Sequence, residues 1–388
     1  MKTISILGST GSIGTQALDV ARWRGYRVRG LAAGRNWTSL LEQVREFGPE
    51  LVSCDDSVAD ELRRELPPGT RLASGKEGAK EVAGLVVDSV VAAIPGMAGL
   101  EPTAHALAVG RHVALANKEA MVVAGPLMKD LATRSGGTIT PLDSEHSALY
   151  QCLLGEDPGA VDALVLTASG GPFRQGPADL SNVTPEEALA HPNWSMGPKV
   201  TVDSATLFNK GLEVLEAHFL FEVPLERIEV VIHPQSLIHG LVRYADGSIK
   251  AQIGPHDMRL PIQYGIEGPR RPPLPLEPLP LQGEWQLLPP DVNRFPCLPL
   301  AYRAGEIGGL APTYLNAADE VAVAAFLEGR LPFPAIARVL AEVLENAPAE
   351  PLSWSVLEEA DRAARRLAGE ACRRLGREMT ASDGAQSR

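Results

Sequence analysis

Asp143 and Glu145 stand two apart in the run Pro141-Leu142-Asp143-Ser144-Glu145-His146. In an extended segment such residues point to one side. Two carboxylates that converge repel each other unless a cation or a proton lies between them. All-oxygen donors select hard ions, so the pair predicts magnesium or manganese rather than zinc. The same acids suit the first turn of a helix over 147–154 equally well, and the segment alone leaves both readings open. A third carboxylate, Glu213, ends the run Asp203-Ser-Ala-Thr-Leu-Phe-Asn-Lys-Gly-Leu-Glu213. On a helix it shares a face with Asn209 and lies close to Lys210. A solvated Lys210–Glu213 ion pair is the plainer reading of that spacing. Gly211, which costs a helix interior ~1 kcal/mol relative to alanine, points to a break or to close approach by a ligand.

Hydroxyls, amides and cations gather in the same third of the chain. Thr167-Ala-Ser169-Gly170-Gly171-Pro172 offers a hydroxyl and flexible backbone amides, while Ser204, Asn209 and Lys210 open a long helix whose N-terminus favours an anion. A few charge-assisted bonds of roughly 1.5–3 kcal/mol each suffice to hold a phosphate. Between them, His191-Pro-Asn-Trp194-Ser-Met196-Gly197-Pro-Lys199 puts a tryptophan and a methionine in a Pro/Gly-rich loop. Such a loop reads as a lid over substrate, or as a packed surface loop. His191 could serve as acid or base, or only hydrogen-bond the phosphate.

At the N-terminus a strand runs into Gly8-Ser-Thr-Gly11-Ser-Ile-Gly14 and then a helical pattern. Glycines there permit a tight turn facing a pyrophosphate, although the spacing is G-x-x-G-x-x-G rather than G-x-G-x-x-G. The second strand ends Ala32-Ala33-Gly34-Arg35-Asn36, with Arg35 where an NAD site would carry an acid. Arginine pairs with a 2′-phosphate, so NADP is expected over NAD.

The elements that must position these groups follow from periodicity. Short β-branched runs at 3–7, 27–33, 51–54, 89–94, 112–117 and 138–142 alternate with helical patterns at 38–47, 100–109 and 118–134, which predicts βαβ units and a parallel sheet. From 144 to 268 the pattern mixes a strand at 163–167, a helix at 205–221, a strand at 228–233 and a hairpin turning at Asp246-Gly247. Residues 269–294 are too rich in proline for a regular element. Helical patterns return at 313–327, 334–344 and 356–375, before a polar tail at 376–388 expected to fray. The expected class is α/β, with a Rossmann-like parallel sheet (1–143), an α+β catalytic domain (144–268), a linker (269–294) and a C-terminal helical bundle (295–375).

Composition narrows the partners. The 388 residues are 45% hydrophobic and carry a net charge of −12, which disfavours nucleic acid. No apolar run reaches the ~18 residues of a membrane span, and MKTISILGSTGSIG is too short and too broken by glycine for a secretory leader. Cys54, Cys152, Cys297 and Cys372 are widely spaced, the pattern of reduced thiols in a cytoplasmic protein.

The segments LGSTGSIG, LANKE, DSEH, SGGPF, HPNWSMG, VDSATLFNKGLE, IHPQSLIHG and LNAADE, in this order along nearly the whole chain, resemble the 1-deoxy-D-xylulose 5-phosphate reductoisomerase family. Each is weak alone; the series is specific. The resemblance implies metal ligation by Asp143, Glu145 and Glu213, and contacts to a phosphorylated sugar from Ser144, Ser169, His191, Trp194, Ser204, Asn209 and Lys210. It places Lys118 beside the reacting end, with Lys118, Glu145 and His191 as catalytic groups, and Glu145 and Glu213 also against substrate. It assigns NADPH contacts to Thr10, Gly11, Ser12, Ile13, Gly34, Arg35, Asn36, Asn117, Glu119 and Gly197. Arg35 stands where many relatives have lysine, and Ala168 replaces a common glycine. The implied reaction breaks and rejoins the C3–C4 bond of 1-deoxy-D-xylulose 5-phosphate and reduces the resulting aldehyde to 2-C-methyl-D-erythritol 4-phosphate, and the implied assembly is a homodimer. The competing readings are a metal-independent NADP dehydrogenase of another phosphorylated metabolite, for which Cys152 is the nearest candidate nucleophile, and an NADP-binding redox sensor without turnover.

Overall fold

The computed structural model describes residues 1–176, 179–194 and 196–386. They fall into two compact units, one formed by Met1–Met121, Met128–Gly159 and Lys250–Leu281, the other by Val122–Leu127, Ala160–Ile249 and Gln282–Arg388.

The first unit is built on a seven-stranded sheet. In chain order its elements are β1 (Thr3–Leu7), α1 (Ser12–Arg24), β2 (Arg27–Ala32), α2 (Trp37–Phe47), β3 (Leu51–Cys54), α3 (Ala59–Glu65), β4 (Arg71–Ser74), α4 (Gly75–Gly84), β5 (Ser89–Ala92), α5 (Leu100–Ala108), β6 (His112–Leu115), α6 (Lys118–Ser135), β7 (Thr138–Pro141) and α7 (Ser144–Leu153). The strand order is β4-β3-β2-β1-β5-β6-β7, and every pairing is parallel. Ile4, Ile6 and Leu7 are fully buried, as a central strand covered on both faces requires. Strand order reverses between β1 and β5, which makes the carboxyl ends of those two strands the switch point where ligands bind in such sheets. The helix α6 departs from helical geometry at Ala124 (φ −135°), just before Pro126, which has no N–H to give to the preceding turn.

Sheet and helices of the second unit follow as β8 (Val161–Ala168), α8 (Pro185–Ala188), α9 (Pro198–Ala205), α10 (Phe208–Phe221), β9 (Ile228–Ile232) and β10 (Ile238–Tyr244); β11 (Ile249–Ile253) comes next, and from Lys250 on its residues are counted with the first unit. β8 pairs parallel with β9 and antiparallel with β10, and β10 turns at Asp246-Gly247 into β11, as the hairpin signal predicts. The single helix expected over 205–221 is two. Leu207 adopts a left-handed conformation (φ 59°) between them. Thr206 explains the break: its hydroxyl donates to the Asp203 carbonyl and accepts from the Phe208 amide, offering the backbone an alternative to helix continuation.

α11 (Arg259–Glu267), for which the sequence carries no clear signal, adds Ile262 and Ile266 to the core of the first unit. The chain ends in α12 (Cys297–Ile307), α13 (Ala311–Leu327), α14 (Ala335–Glu345) and α15 (Leu357–Gln386). α14 buries Ile336, Val339, Leu340, Val343 and Leu344, the 3–4 spacing of an amphipathic helix. α13 is buried nearly all round, and its Asp319 lies at 0% exposure. That acid is answered from α9, where Lys199 Nζ lies 2.6 Å from Asp319 and 2.7 Å from the buried Asp203. The residues expected to fray beyond 375 continue α15 to Gln386, with an Arg374–Glu378 pair at helical spacing.

Candidate functional site

Gly8 follows β1 with φ +85°, and a Cβ there would lie 2.5 Å from the Ala93 carbonyl just beyond β5. The turn is thus wedged into the switch point, and only glycine fits. A Cβ on Gly14 would meet the Gly8 carbonyl and come within 2.6 Å of Ser9 Cα, so α1 begins pressed against the turn. No side chain caps α1 at Gly11 and no acid occupies its first turn, leaving the positive end of the helix open to an anion. Thr10, Ser12 and Ile13 line this turn. Gly34, Arg35 and Asn36 follow β2: the Asn36 side chain accepts from the Ser39 amide to cap α2, and Arg35 is largely exposed. Sequence reasoning misses Asp55 at the end of β3, 3.9 Å from Arg35, because the two are distant in sequence. Asn117 caps α6 and donates to the Gly96 carbonyl at 3.0 Å, while Glu119 is buried in the same first turn.

Asp143 is the N-cap of α7, accepting from the Ser144 amide at 3.0 Å, so Glu145 lies in the first helical turn. The extended geometry on which the convergence of Asp143 and Glu145 was reasoned is therefore absent, because the helix starts three residues earlier than expected. Ser144 Oγ donates to Glu145, and Lys118, at the start of α6, forms an ion pair with Asp143. His146, fully buried, stands with Nδ1 3.9 Å from Asp143. Its place in the site escapes the sequence reading, although three residues from an N-cap is a neighbouring position on a helix.

In the second unit Glu213 and Lys210 are both buried on α10 and paired with each other, and Asn209 Nδ2 donates to Glu213 at 2.6 Å. Burial turns what would be a weak solvated pair into a pre-formed one. Gly211 serves neither a break nor a ligand: its missing Cβ would lie 2.6 Å from Ala301 Cβ, so the glycine lets α12 approach.

Ser169 follows β8, and the consecutive left-handed Gly170 and Gly171 bend the chain so that Gly171 packs on the Ser204 carbonyl, which a Cβ would approach to 2.7 Å. Ser204 belongs to the last turn of α9 rather than to the opening of the long helix. His191 Nε2 lies 3.0 Å from Ser169 Oγ. Its Nδ1 accepts from the amides of Asn193 (3.2 Å) and Trp194 (2.9 Å), so the ring proton sits on Nε2 and points at the Ser169 hydroxyl. His191 is thereby a donor beside Ser169. Trp194 packs against His239, with ring centroids 6.3 Å apart, and Gly197 caps α9. Cys152 is buried, and burial pushes its thiol up to about 11, which removes it as a nucleophile at neutral pH.

A glycine turn wedged into the switch point of a doubly wound sheet gives the chain the form of a dinucleotide-binding protein. Family models described as 1-deoxy-D-xylulose 5-phosphate reductoisomerase match residues 4–125, and its C-terminal domains match 139–221 and 253–367. The 1-deoxy-D-xylulose 5-phosphate reductoisomerase of Thermus thermophilus is 58% identical over 94% of this chain and 98% of its own length. That of Anaeromyxobacter sp. (strain K) is 55% identical, over 91% and 92% respectively. A solved DOX-P reductoisomerase in complex with NADPH, fosmidomycin and magnesium superimposes with a TM-score of 0.91 at 37% identity, covering 96% of this chain and 98% of that one. The Zymomonas mobilis enzyme in complex with NADPH gives 0.90 at 40% identity, covering 96% and 99%. The chain belongs to the 1-deoxy-D-xylulose 5-phosphate reductoisomerase family.

Proposed function

We propose that this chain converts 1-deoxy-D-xylulose 5-phosphate to 2-C-methyl-D-erythritol 4-phosphate, using NADPH and magnesium or manganese, in the synthesis of isoprenoid precursors. The observation that carries the reading is the pairing of a lysine with a carboxylate in each unit, Lys118 on Asp143 and Lys210 on Glu213. In each pair the ammonium supplies positive charge that the carboxylate requires, a role that a bound cation would take over in part, and the donors are the hard oxygens that magnesium and manganese prefer. Asp143, Glu145 and Glu213 are the proposed ligands. The cation supplies Lewis-acid stabilisation of negative charge developing on the substrate's oxygens, and NADPH supplies the hydride.

The chain's own residues do the rest. Lys118 carries a fixed positive charge to the reacting end, and Glu145, held by Ser144, completes the catalytic carboxylates. Ser169, Ser204, Asn209, Lys210 and the Nε2 proton of His191 grip the phosphate, so that remote binding energy orients the small reacting end. Trp194, Met196 and Gly197 belong to a lid that excludes water; Ser195 of that segment lies outside the described residues. Thr10 to Ile13 receive the pyrophosphate of NADPH, Gly34 to Asn36 its 2′-phosphate end, and Asn117, Glu119 and Gly197 complete the contacts.

Functionally, residues 1–143 form the NADPH domain, 144–268 the catalytic domain, 269–294 the linker, and 295–375 a supporting helical domain followed by the tail 376–388. A homodimer in the cytoplasm is the proposed state, supported by the family resemblance and by the buried thiols. No described helix is long and apolar enough to cross a membrane.

The test is NADPH oxidation, followed by absorbance, with 1-deoxy-D-xylulose 5-phosphate and manganese, then with excess chelator. Metal-dependent oxidation yielding the branched polyol phosphate is expected. Oxidation that survives the chelator would instead indicate a metal-independent dehydrogenase.

A further inference from the structure

Asn193 is not among the groups assigned above, yet its side chain ties the loop to a distant turn. Its Nδ2 donates to the Pro234 carbonyl at 2.7 Å and to Ser236 Oγ at 2.9 Å. Its own amide, and that of Trp194, donate to His191 Nδ1. Ser236 is the second unusual feature. It is nearly buried and sits at φ +50°, a left-handed conformation that a non-glycine residue adopts only under constraint. The turn holding it is closed by the Ser236 amide on the His233 carbonyl at 2.9 Å, and the His233 amide is bound to Ala168 at the end of β8, one residue before Ser169.

We propose that Asn193 is a positioning residue that latches the start of the 191–199 loop to the Pro234–Ser236 turn and thereby fixes the proton of His191. The path is continuous. With its side chain pinned to Pro234 and Ser236, Asn193 holds two successive amides against His191 Nδ1. Those amides leave Nε2 as the ring's only proton-bearing nitrogen, aimed at Ser169 and the phosphate proposed to bind there. Ser236 supplies the other half of the latch, and its hydroxyl is presented to Asn193 by the strained backbone. Releasing the latch frees the amides and lets the imidazole take either tautomer, so the substrate must organise the donor on binding. That penalty falls on substrate binding more than on turnover.

The inference rests on the reading of His191 as a phosphate donor, and the experiment separates the two. Steady-state constants are measured for wild type, His191→Ala, Asn193→Ala, Ser236→Ala and the Asn193→Ala/Ser236→Ala double variant. Histidine-labelled nitrogen NMR reports the ring proton of His191 in the substrate-free protein. Asn193→Ala is expected to raise KM for the sugar phosphate roughly tenfold, the scale of two neutral hydrogen bonds, with a much smaller fall in kcat. The His191 signals are expected to move from one tautomer to a mixture. Ser236→Ala should have a smaller effect of the same kind and add little in the Asn193→Ala background, as coupled partners do. An Asn193→Ala protein with unchanged KM and an unchanged His191 tautomer, where His191→Ala raises KM, would overturn the latch alone. An unchanged KM in His191→Ala would overturn the donor reading beneath it. If Asn193→Ala does not fold, Ser236→Ala carries the same test through its KM and the His191 signals.

Discussion

Gly14→Ala is the sharpest test of how the glycine turn works. The added methyl would meet backbone on every near side, the Gly8 carbonyl and Ser9 Cα, and no rotamer can move it away. Going from 2.6 Å at Ser9 Cα to an ordinary contact of 3.4 Å requires the start of α1 to shift by 0.8 Å. The turn itself cannot yield, because the amides of Gly8 and Ser9 are both bound to the Ala32 carbonyl at 2.8 and 2.9 Å. Overpacking of this kind costs ~1–3 kcal/mol, partly offset by the ~1 kcal/mol that alanine gains over glycine in a helix. A net loss of ~0–2 kcal/mol follows, or up to roughly 8 °C in the melting temperature of a domain this size. Binding should suffer more. A shift near 1 Å at an amide facing a pyrophosphate oxygen removes a charge-assisted bond of ~1.5–3 kcal/mol, a rise of roughly 10- to 150-fold in the Kd for NADPH. Gly369→Ala, inside α15 with its nearest neighbour 3.5 Å away, provides the contrast: the same chemical change should stabilise by roughly 0.5–1 kcal/mol and leave the cofactor untouched. Calorimetric melting and NADPH titration of both variants decide the matter. A Gly14→Ala protein that melts and binds like wild type would falsify the wedge argument.

Other perturbations are read more simply. Glu213→Gln keeps the shape but removes the charge, so turnover and manganese binding should fall by at least roughly a thousandfold while NADPH affinity stays within about twofold; equal loss of both would remove Glu213 from the metal. Asp319 is held well above the ordinary carboxyl value of 3.8, first by burial and then by Asp203. The folded protein therefore keeps a proton that the unfolded chain releases, and stability falls as pH rises from below that value through the raised one. Asp319→Asn should abolish this fall, so its stability should gain on wild type as pH rises above about 4, by about 1.4 kcal/mol for every tenfold by which folding strengthens the carboxyl group's hold on its proton. A difference that does not change with pH would mean that Lys199 keeps Asp319 ionised throughout.

What can be read in the residues depends on how local the cause is. β1, β3 and the glycine turn are legible because β-branched runs and glycine spacing act within a few residues, and parallel burial leaves an unbroken apolar signature in Ile4, Ile6 and Leu7. β4 escapes because Arg71–Ser74 is a short, half-exposed edge with no alternation to detect. α11 escapes because proline and glycine near both its ends mask a pattern that only the sheet beside it makes sense of. The break at Leu207 is hinted at by Thr206, but its left-handed backbone is decided by packing. At the site the residue types are legible and the geometry is not. Extended spacing would set Asp143 beside Glu145, whereas capping α7 sets it beside Lys118 and His146. Capping is the other reading that the segment allows, and a neighbouring serine and glutamate favour it.

The four cysteines have a use unrelated to catalysis. Cys54 and Cys152 lie in the first unit, Cys297 and Cys372 in the second, and all four are buried thiols. Burial pushes the thiols of Cys54 and Cys152 up to about 11 and raises those of Cys297 and Cys372 as well. Each is therefore silent toward a thiol reagent until its surroundings open, and the rate at which it is modified becomes a clock for that opening. The protein carries two such clocks in each unit, placed on β3, α7, α12 and α15. Modified thiols, identified by mass after timed exposure, would rank the opening of sheet and helices separately, and would show which of them NADPH or metal holds shut, without a single label being introduced.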